Sequence, residues 1–223
     1  MKPIRFRLFA PLVISTLLLS SWGSAWAAPA GPGPFNTGVN ASGAQLTQDA
    51  VDPHYQIIGS AVFGPSAFAK RTGSPIDNNA WINNSTASSW LVPAVDFFFP
   101  DQPGLTDSIT YRTEFDLSAT PAPGWRIDGR WAADDSGLTI KLNGVAVAGL
   151  GVAQADQWRN FSIAGGILPG LNTLEFTTFS TLSPTGLRVE MLTTAVPEPG
   201  TWALLIAGLM GVALKARRRG GAQ

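Results

Sequence analysis

The 223-residue chain contains no cysteine. That excludes a disulfide framework, a thiol nucleophile and a thiolate metal site. The fold must therefore stand on its hydrophobic core, to which Trp81, Trp90, Trp125, Trp131 and Trp158 are suited. There is a single histidine, His54. A Ser-His-Asp triad or a zinc site would have to use it, and zinc without cysteine would lean on carboxylates. Its place after Asp52-Pro53 at a strand entrance reads instead as a hydrogen-bonded structural residue. No Gly-rich phosphate loop, nucleophile elbow or paired metal motif occurs, and no internal repeat of solenoid length. An enzyme is thus the poorer reading, although a pair of distant carboxylates needs no motif to hydrolyse a glycan.

The formal charge is zero, with 15 basic and 15 acidic residues, but the charges are not mixed evenly. Lys2, Arg5 and Arg7 precede an apolar run, Leu8–Leu19, and Ala25-Trp26-Ala27 gives a small-x-small pattern. That order is a signal peptide over 1–27, cut after Ala27 by signal peptidase; an uncleaved N-terminal anchor is the alternative. At the other end lie Lys215, Arg217, Arg218 and Arg219. Residues 28–195 hold eight basic and fourteen acidic side chains, a net charge of −6. Such a body does not attract nucleic acid or acidic polymers by simple charge, and neutral sugars remain open. These 168 residues suffice for one domain.

Residues 28–50 are rich in Gly, Pro, Ala, Ser and Thr and read as a flexible leader, in which Phe35 and Val39 are able to dock as an edge segment. The domain proper is expected over 51–195. Tyr55–Phe63 is β-rich, 64–89 reads as a long polar loop, and Trp90-Leu91-Val92 and Val95–Phe99 are short apolar runs. Phe97-Phe98-Phe99 needs cover from a second layer or a partner. Ile109–Phe115 and Ile127–Ala133 alternate with period two, which buries one face of a strand. Asp134-Asp135-Ser136-Gly137 reads as a turn, followed by alternating Leu138, Ile140 and Leu142. Asn143-Gly144 supplies the positive φ of a two-residue type I′ hairpin onto Val145–Ala148. Strands are expected again at Gln157–Ile163, Thr173–Phe179 and Gly186–Leu192. About eight short strands with no long helical periodicity give an all-β fold, an antiparallel β-sandwich.

The end of the chain combines Val196-Pro197-Glu198-Pro199, the 14-residue apolar run Thr201–Leu214, and Arg217-Arg218-Arg219 as a basic stop. As a helix the run spans about 21 Å, short of the roughly 30 Å bilayer core. Positive-inside bias places everything before Val196 outside. Ala203, Ala207 and Gly211 recur every four residues, a stripe that either packs on another membrane helix or reflects common composition. In motif, order and position, residues 196–219 resemble the PEP-CTERM sorting signal of Gram-negative bacteria, a region also catalogued as the C-terminal domain of ice-binding proteins. The resemblance implies recognition of Pro197-Glu198-Pro199 by exosortase, transient anchoring in the inner membrane, and delivery to the cell surface or exopolysaccharide. A permanent tail anchor is the alternative. Ice binding is not implied, because a sorting label does not describe its cargo.

The run Gly129–Gly137, then Leu138–Asn143-Gly144 and Gly170-Leu171-Asn172-Thr173-Leu174, resembles galactose-binding-like jelly rolls. That resemblance implies a sugar-contacting sandwich and carries over no binding residue. From the residues themselves, Trp81 and Trp90 flank an Asn/Ser/Thr-rich loop and are candidate glycan-stacking rings, with core packing as the alternative. Asp134 and Asp135 are candidates for calcium or acid–base work, against ordinary turn chemistry. The sequence thus points to an exported, non-catalytic β-sandwich with structural or glycan-contacting duty. It calls for no cofactor, metal or nucleic acid. A permanently anchored carbohydrate-binding module and a glycan hydrolase are the competing readings.

Overall fold

The computed structural model describes residues 33–95, 106–119, 124–181, 184–196 and 204–211. The signal peptide, Phe97-Phe98-Phe99 and most of the tail lie outside these. Ten strands follow in order: β1 (Val51–Gly59), β2 (Ser66–Lys70), β3 (Trp90–Val92), β4 (Asp107–Asp116) and β5 (Trp125–Asp134). Then come β6 (Ser136–Leu142), β7 (Val145–Ala146), β8 (Arg159–Ile163), β9 (Leu171–Ser180) and β10 (Gly186–Ala195). All pair antiparallel in one sheet of order β7-β6-β9-β4-β1-β2-β3-β10-β5-β8. The sheet curls on itself: Trp131 of β5 meets Phe176 of β9 at 5.9 Å although the two strands share no ladder. The sandwich layers are thus β7-β6-β9-β4-β1 and β2-β3-β10-β5-β8.

Period-two alternation decides what fills the space between. Ile109, Tyr111 and Phe115 of β4, Ile127 and Trp131 of β5, and Leu187, Val189 and Met191 of β10 all turn inward and are buried. Gly129 is required among them, because a Cβ there would stand 2.2 Å from Phe161 Cζ. Asn143 and Gly144 take φ of 50° and 79°, as the I′ hairpin demands, although its second strand shortens to Val145–Ala146.

Four expectations change. Ser66–Lys70, read as loop, is β2; its alternating small side chains pair with β1 and β3. Asp134–Gly137 is not a hairpin turn, since β5 and β6 do not pair and the chain passes there from one layer to the other. A register shift between Gly137 and Thr139 leaves Leu138 exposed while Ile140 and Leu142 are buried. Residues 33–50 are no loose leader. Asn36, Thr37 and Val39 are fully buried, and Thr37 exchanges backbone bonds with Ser89 and Val189. The segment fills the gap left where β3 pairs with β10 at Leu187↔Leu91. Asp52 clamps it to β1, its two carboxylate oxygens accepting from the backbone N–H groups of Gly38, His54 and Tyr55.

Candidate functional site

The junction between body and tail is sharply placed. The β5–β10 ladder runs to Ala195↔Trp125, and the Val196 N–H donates to the Gly124 carbonyl at 3.0 Å. The next residue, Pro197, has no N–H to extend a ladder. Pro197, Glu198, Pro199, Arg217, Arg218 and Arg219 lie outside the described residues, as do Ala25 and Ala27. A helix over 204–211 is exposed along its length, with Leu204 76% and Leu209 63% exposed. No helix of the described residues is long and apolar enough to cross a membrane.

Trp81 and Trp90 are both buried, 2% and 0% exposed, with their rings 4.2 Å apart. They form a second core on the outer face of the β2-β3-β10-β5-β8 layer with Ile76, Val92 and Ala132. Neither ring therefore offers a face for a sugar in this structure. The polar residues of 82–89 are engaged as well. Asn84 caps Lys70 and Arg71 carbonyls and accepts from the Trp90 N–H. Ser85 and Ser88 donate to Glu190, whose carboxylate also receives Arg130 at 2.5 Å. Arg188, 1% exposed, donates to Ser88 and to the Ile82 and Asn83 carbonyls. Burial opposes ionisation of Glu190, but the bonds from Ser88, Arg130 and Ser85 outweigh it and hold its pKa below normal. Burial also lowers Arg188 to about 10. The loop lies on the sheet because these charges need it there.

Asp134 and Asp135 diverge. The Asp134 carboxylate accepts from Trp81 Nε1 at 2.6 Å, while Asp135 accepts from the Thr181 N–H and hydroxyl at 2.6 and 2.8 Å. Burial pushes Asp134 up to about 7, against the Trp81 bond and with the neighbouring charge of Asp135. Among the described residues no group of three or more acidic or histidine side chains is placed to hold a metal ion.

A polar recess beside a partly buried tryptophan exists at a place the sequence pattern did not single out. Trp158 is half-buried and carries the guanidinium groups of Arg130 and Arg188 at 4.4 and 4.8 Å from its ring. With Val152, Gln154, Gln157 and Arg159 it walls a cavity of about 280 Å³. Gln157 donates to Gln154 at 3.0 Å, and the Ile82 N–H ties the loop down through the Ala155 carbonyl. Arg159 lies so close over Gly151 that a Cβ there would meet Nη2 at 2.1 Å, and it makes no ion pair with any described residue. Two amides and the Arg159 guanidinium can bond hydroxyl groups there, with the partly buried Trp158 ring behind them. The signal was in the sequence: Gln154-Ala155-Asp156-Gln157-Trp158-Arg159 has the aromatic-plus-amide pattern assigned to the 81–90 loop.

Comparison with known proteins bears on both ends of this description. Residues 195–219 match the family described as PEP-CTERM protein-sorting motif. The chain carries a PEP-CTERM motif. The motif begins at the last residue of β10, and it implies export, sorting to the cell envelope and processing by exosortase. The body is similar to the solved structure of TmCBM61 in complex with β-1,4-galactotriose (TM-score 0.41, 11% identity, 71% of this chain and 99% of that one). It is also similar to a family 35 carbohydrate-binding module from an environmental isolate (TM-score 0.27, 13% identity, 46% and 79%). A third is a PA14 sugar-binding domain from an RTX adhesin (TM-score 0.23, 18% identity, 39% and 46%). No curated protein matches the chain.

Proposed function

We propose that the chain is a cell-surface or exopolysaccharide-matrix protein. Signal peptidase frees it after Ala27, the tail holds it transiently in the inner membrane, and exosortase removes the tail at Pro197-Glu198-Pro199. The observation that carries this reading is the PEP-CTERM match beginning where the folded body stops, at Ala195 and Val196. The ladder ends at the Val196 N–H, so a cut from Pro197 onward would break none of the body's ladder bonds. The test is the intact mass of the protein from cells with and without exosortase. A mass ending near Val196 only when the protease is present supports sorting, whereas an intact basic terminus in both strains leaves a permanent anchor.

The body's proposed duty is non-catalytic contact with glycan through the Trp158 recess. Gln154, Gln157 and Arg159 support that assignment by lining one recess with Trp158. Trp158→Ala is expected to weaken retention on immobilised exopolysaccharide by at least about tenfold, the scale of one aromatic contact. Equal retention of the variant removes the recess from the reading while leaving the sorting assignment untouched.

A further inference from the structure

Strand directions place the exit of the tail at one end of the sandwich. The β5–β10 ladder closes there at Trp125↔Ala195, and β8 runs to it through Ile163↔Ile127. Leu171, the first residue of β9, pairs there with Asp116, and Leu142↔Leu174 brings the Asn143-Gly144 turn alongside. Three side chains of this end are apolar and open to solvent: Leu168, Val145 (72% exposed) and Leu171 (60%). Their backbone is pinned. The Asn143 amide donates to the Gly166 carbonyl at 2.9 Å, its side-chain oxygen accepts from the Thr173 N–H, and Asn172 accepts from the Leu168 N–H. Between this hairpin and the end of β8 opens a cleft of about 400 Å³, walled by Leu142, Val147 and Ile163. In a body of net charge −6, neither 142–155 nor 161–174 contains a charged residue. On the adjoining strand ends Asp116 and Arg126 carry opposite signs. An exposed apolar rim without charge marks a contact surface.

What covers that rim follows from where the chain goes next, and rests on the inner-membrane tether proposed above. From Val196 to Thr201 there are five residue steps, which reach at most about 18 Å when fully extended. The run Thr201–Leu214 supplies about 21 Å of helix against a hydrocarbon core of roughly 30 Å. With Lys215 at the cytoplasmic edge, about 9 Å of the connecting length is drawn into the core. The remainder, about 9 Å, little exceeds the roughly 5–7 Å of headgroup layer on one side of a bilayer. Even a bilayer thinned to match the helix leaves no more than about 12 Å between Val196 and the lipid surface. In either case the leash keeps this end of the body within reach of lipid. A second copy would have to find the rim by diffusion, whereas the bilayer is always beside it. We propose that the tail-exit end of the sandwich is a membrane-resting surface, whose Val145, Leu168 and Leu171 enter the headgroup layer of the outward-facing leaflet until the tail is removed. Trp158 lies past the opposite end of β8, beyond Arg159↔Trp131, so the recess assigned to glycan is turned away from the lipid.

Because the chain has no cysteine, single-cysteine variants can carry one environment-sensitive fluorophore at a chosen place. The tailed precursor from cells lacking exosortase is labelled at Val145→Cys, Leu168→Cys, Val152→Cys or Leu209→Cys. Each is reconstituted into vesicles of phosphatidylethanolamine and phosphatidylglycerol that carry nitroxide quenchers at shallow and deep acyl positions. Probes at Val145 and Leu168 are expected to shift to the blue and to lose emission to the shallow quencher. The probe at Val152, also exposed but beside the Gly137↔Ala153 bridge at the opposite end, should do neither. Adding Leu171→Asp should restore emission at Val145, since a carboxylate is costly in the leaflet. Leu209 reports the tether separately. Quenching there without quenching at the rim overturns the resting surface and keeps the anchor, while no quenching at either overturns both. A blue shift at the rim without quenching would mean that protein covers it instead, and equal quenching at Val152 would mean that no end is preferred; each overturns the proposal.

Discussion

Gly129 shows how little room single positions have. Its missing Cβ is the space taken by the Phe161 ring, whose Cζ and Cε1 would lie 2.2 and 2.6 Å away. Both residues face the core from paired strands, so neither can retreat to solvent. Gly129→Ala is expected to destabilise the body by about 1–3 kcal/mol, read from its urea midpoint. Two buried carboxylates and the half-buried Asp134 set a pH dependence in opposite senses. Burial raises Asp134 to about 7 and Asp52 to about 6 from an ordinary 3.8, so each favours folding fully below about 4 and loses that contribution as pH rises through its raised value. Glu190 is shifted downward from 4.5, so its contribution is present above that value and lost as pH falls through the depressed one. The thermal midpoint should therefore peak near about pH 4 to 4.5, decline to about pH 7 and level off above it. Asp134→Asn keeps an acceptor for Trp81 and should flatten that decline; a decline equally steep in the variant would assign it elsewhere.

At the scale of elements, the segment over 33–46 behaves as part of the sheet. Asn36 Oδ1 accepts from the Met191 N–H at 2.6 Å and its amide donates to the Ala87 carbonyl at 3.1 Å. Asn36→Ala strands a buried N–H, and a loss of about 1–3 kcal/mol in thermal or urea unfolding is expected. A change within a few tenths would mean the segment is only laid on the surface. Phe35 and Val39 marked it in the sequence as able to dock, and Val39 is buried while Phe35 stacks on His54, but the rest of its docking is made by backbone groups and short polar side chains, which no hydrophobic pattern records. β2 was hidden for a related reason, since Ser66-Ala67-Phe68-Ala69-Lys70 has small residues on its inward face and no β-branched signal. By contrast β4, β5 and β10 were legible, because alternation and the Asn143-Gly144 turn are local properties. Which strands share a ladder is not local, so the layer crossing at Asp135 read as a turn. The same limit explains the tryptophans. Trp81 and Trp90 differ from Trp158 in that they pack on each other with Ile76, Val92 and Ala132, and part of their cover, such as Asp134 on Trp81, lies more than fifty positions away.

Over the whole molecule, both ends of the described body meet on one strand. β10 accepts the N-terminal segment at Val189 and Met191 and delivers the chain to the sorting motif at Val196. Among the described residues, every ladder bond of the body is made by Val196 or an earlier residue. Processing at the motif should then be thermodynamically silent: precursor and trimmed protein, compared in the same detergent-free buffer, should unfold at the same temperature within about 1 °C. A clear difference would mean that the tail braces the sandwich. Silence of that kind separates two clocks in the life of the molecule. On the proposed route, folding is complete before the tail is removed, and the timing of that removal is left entirely to the protease.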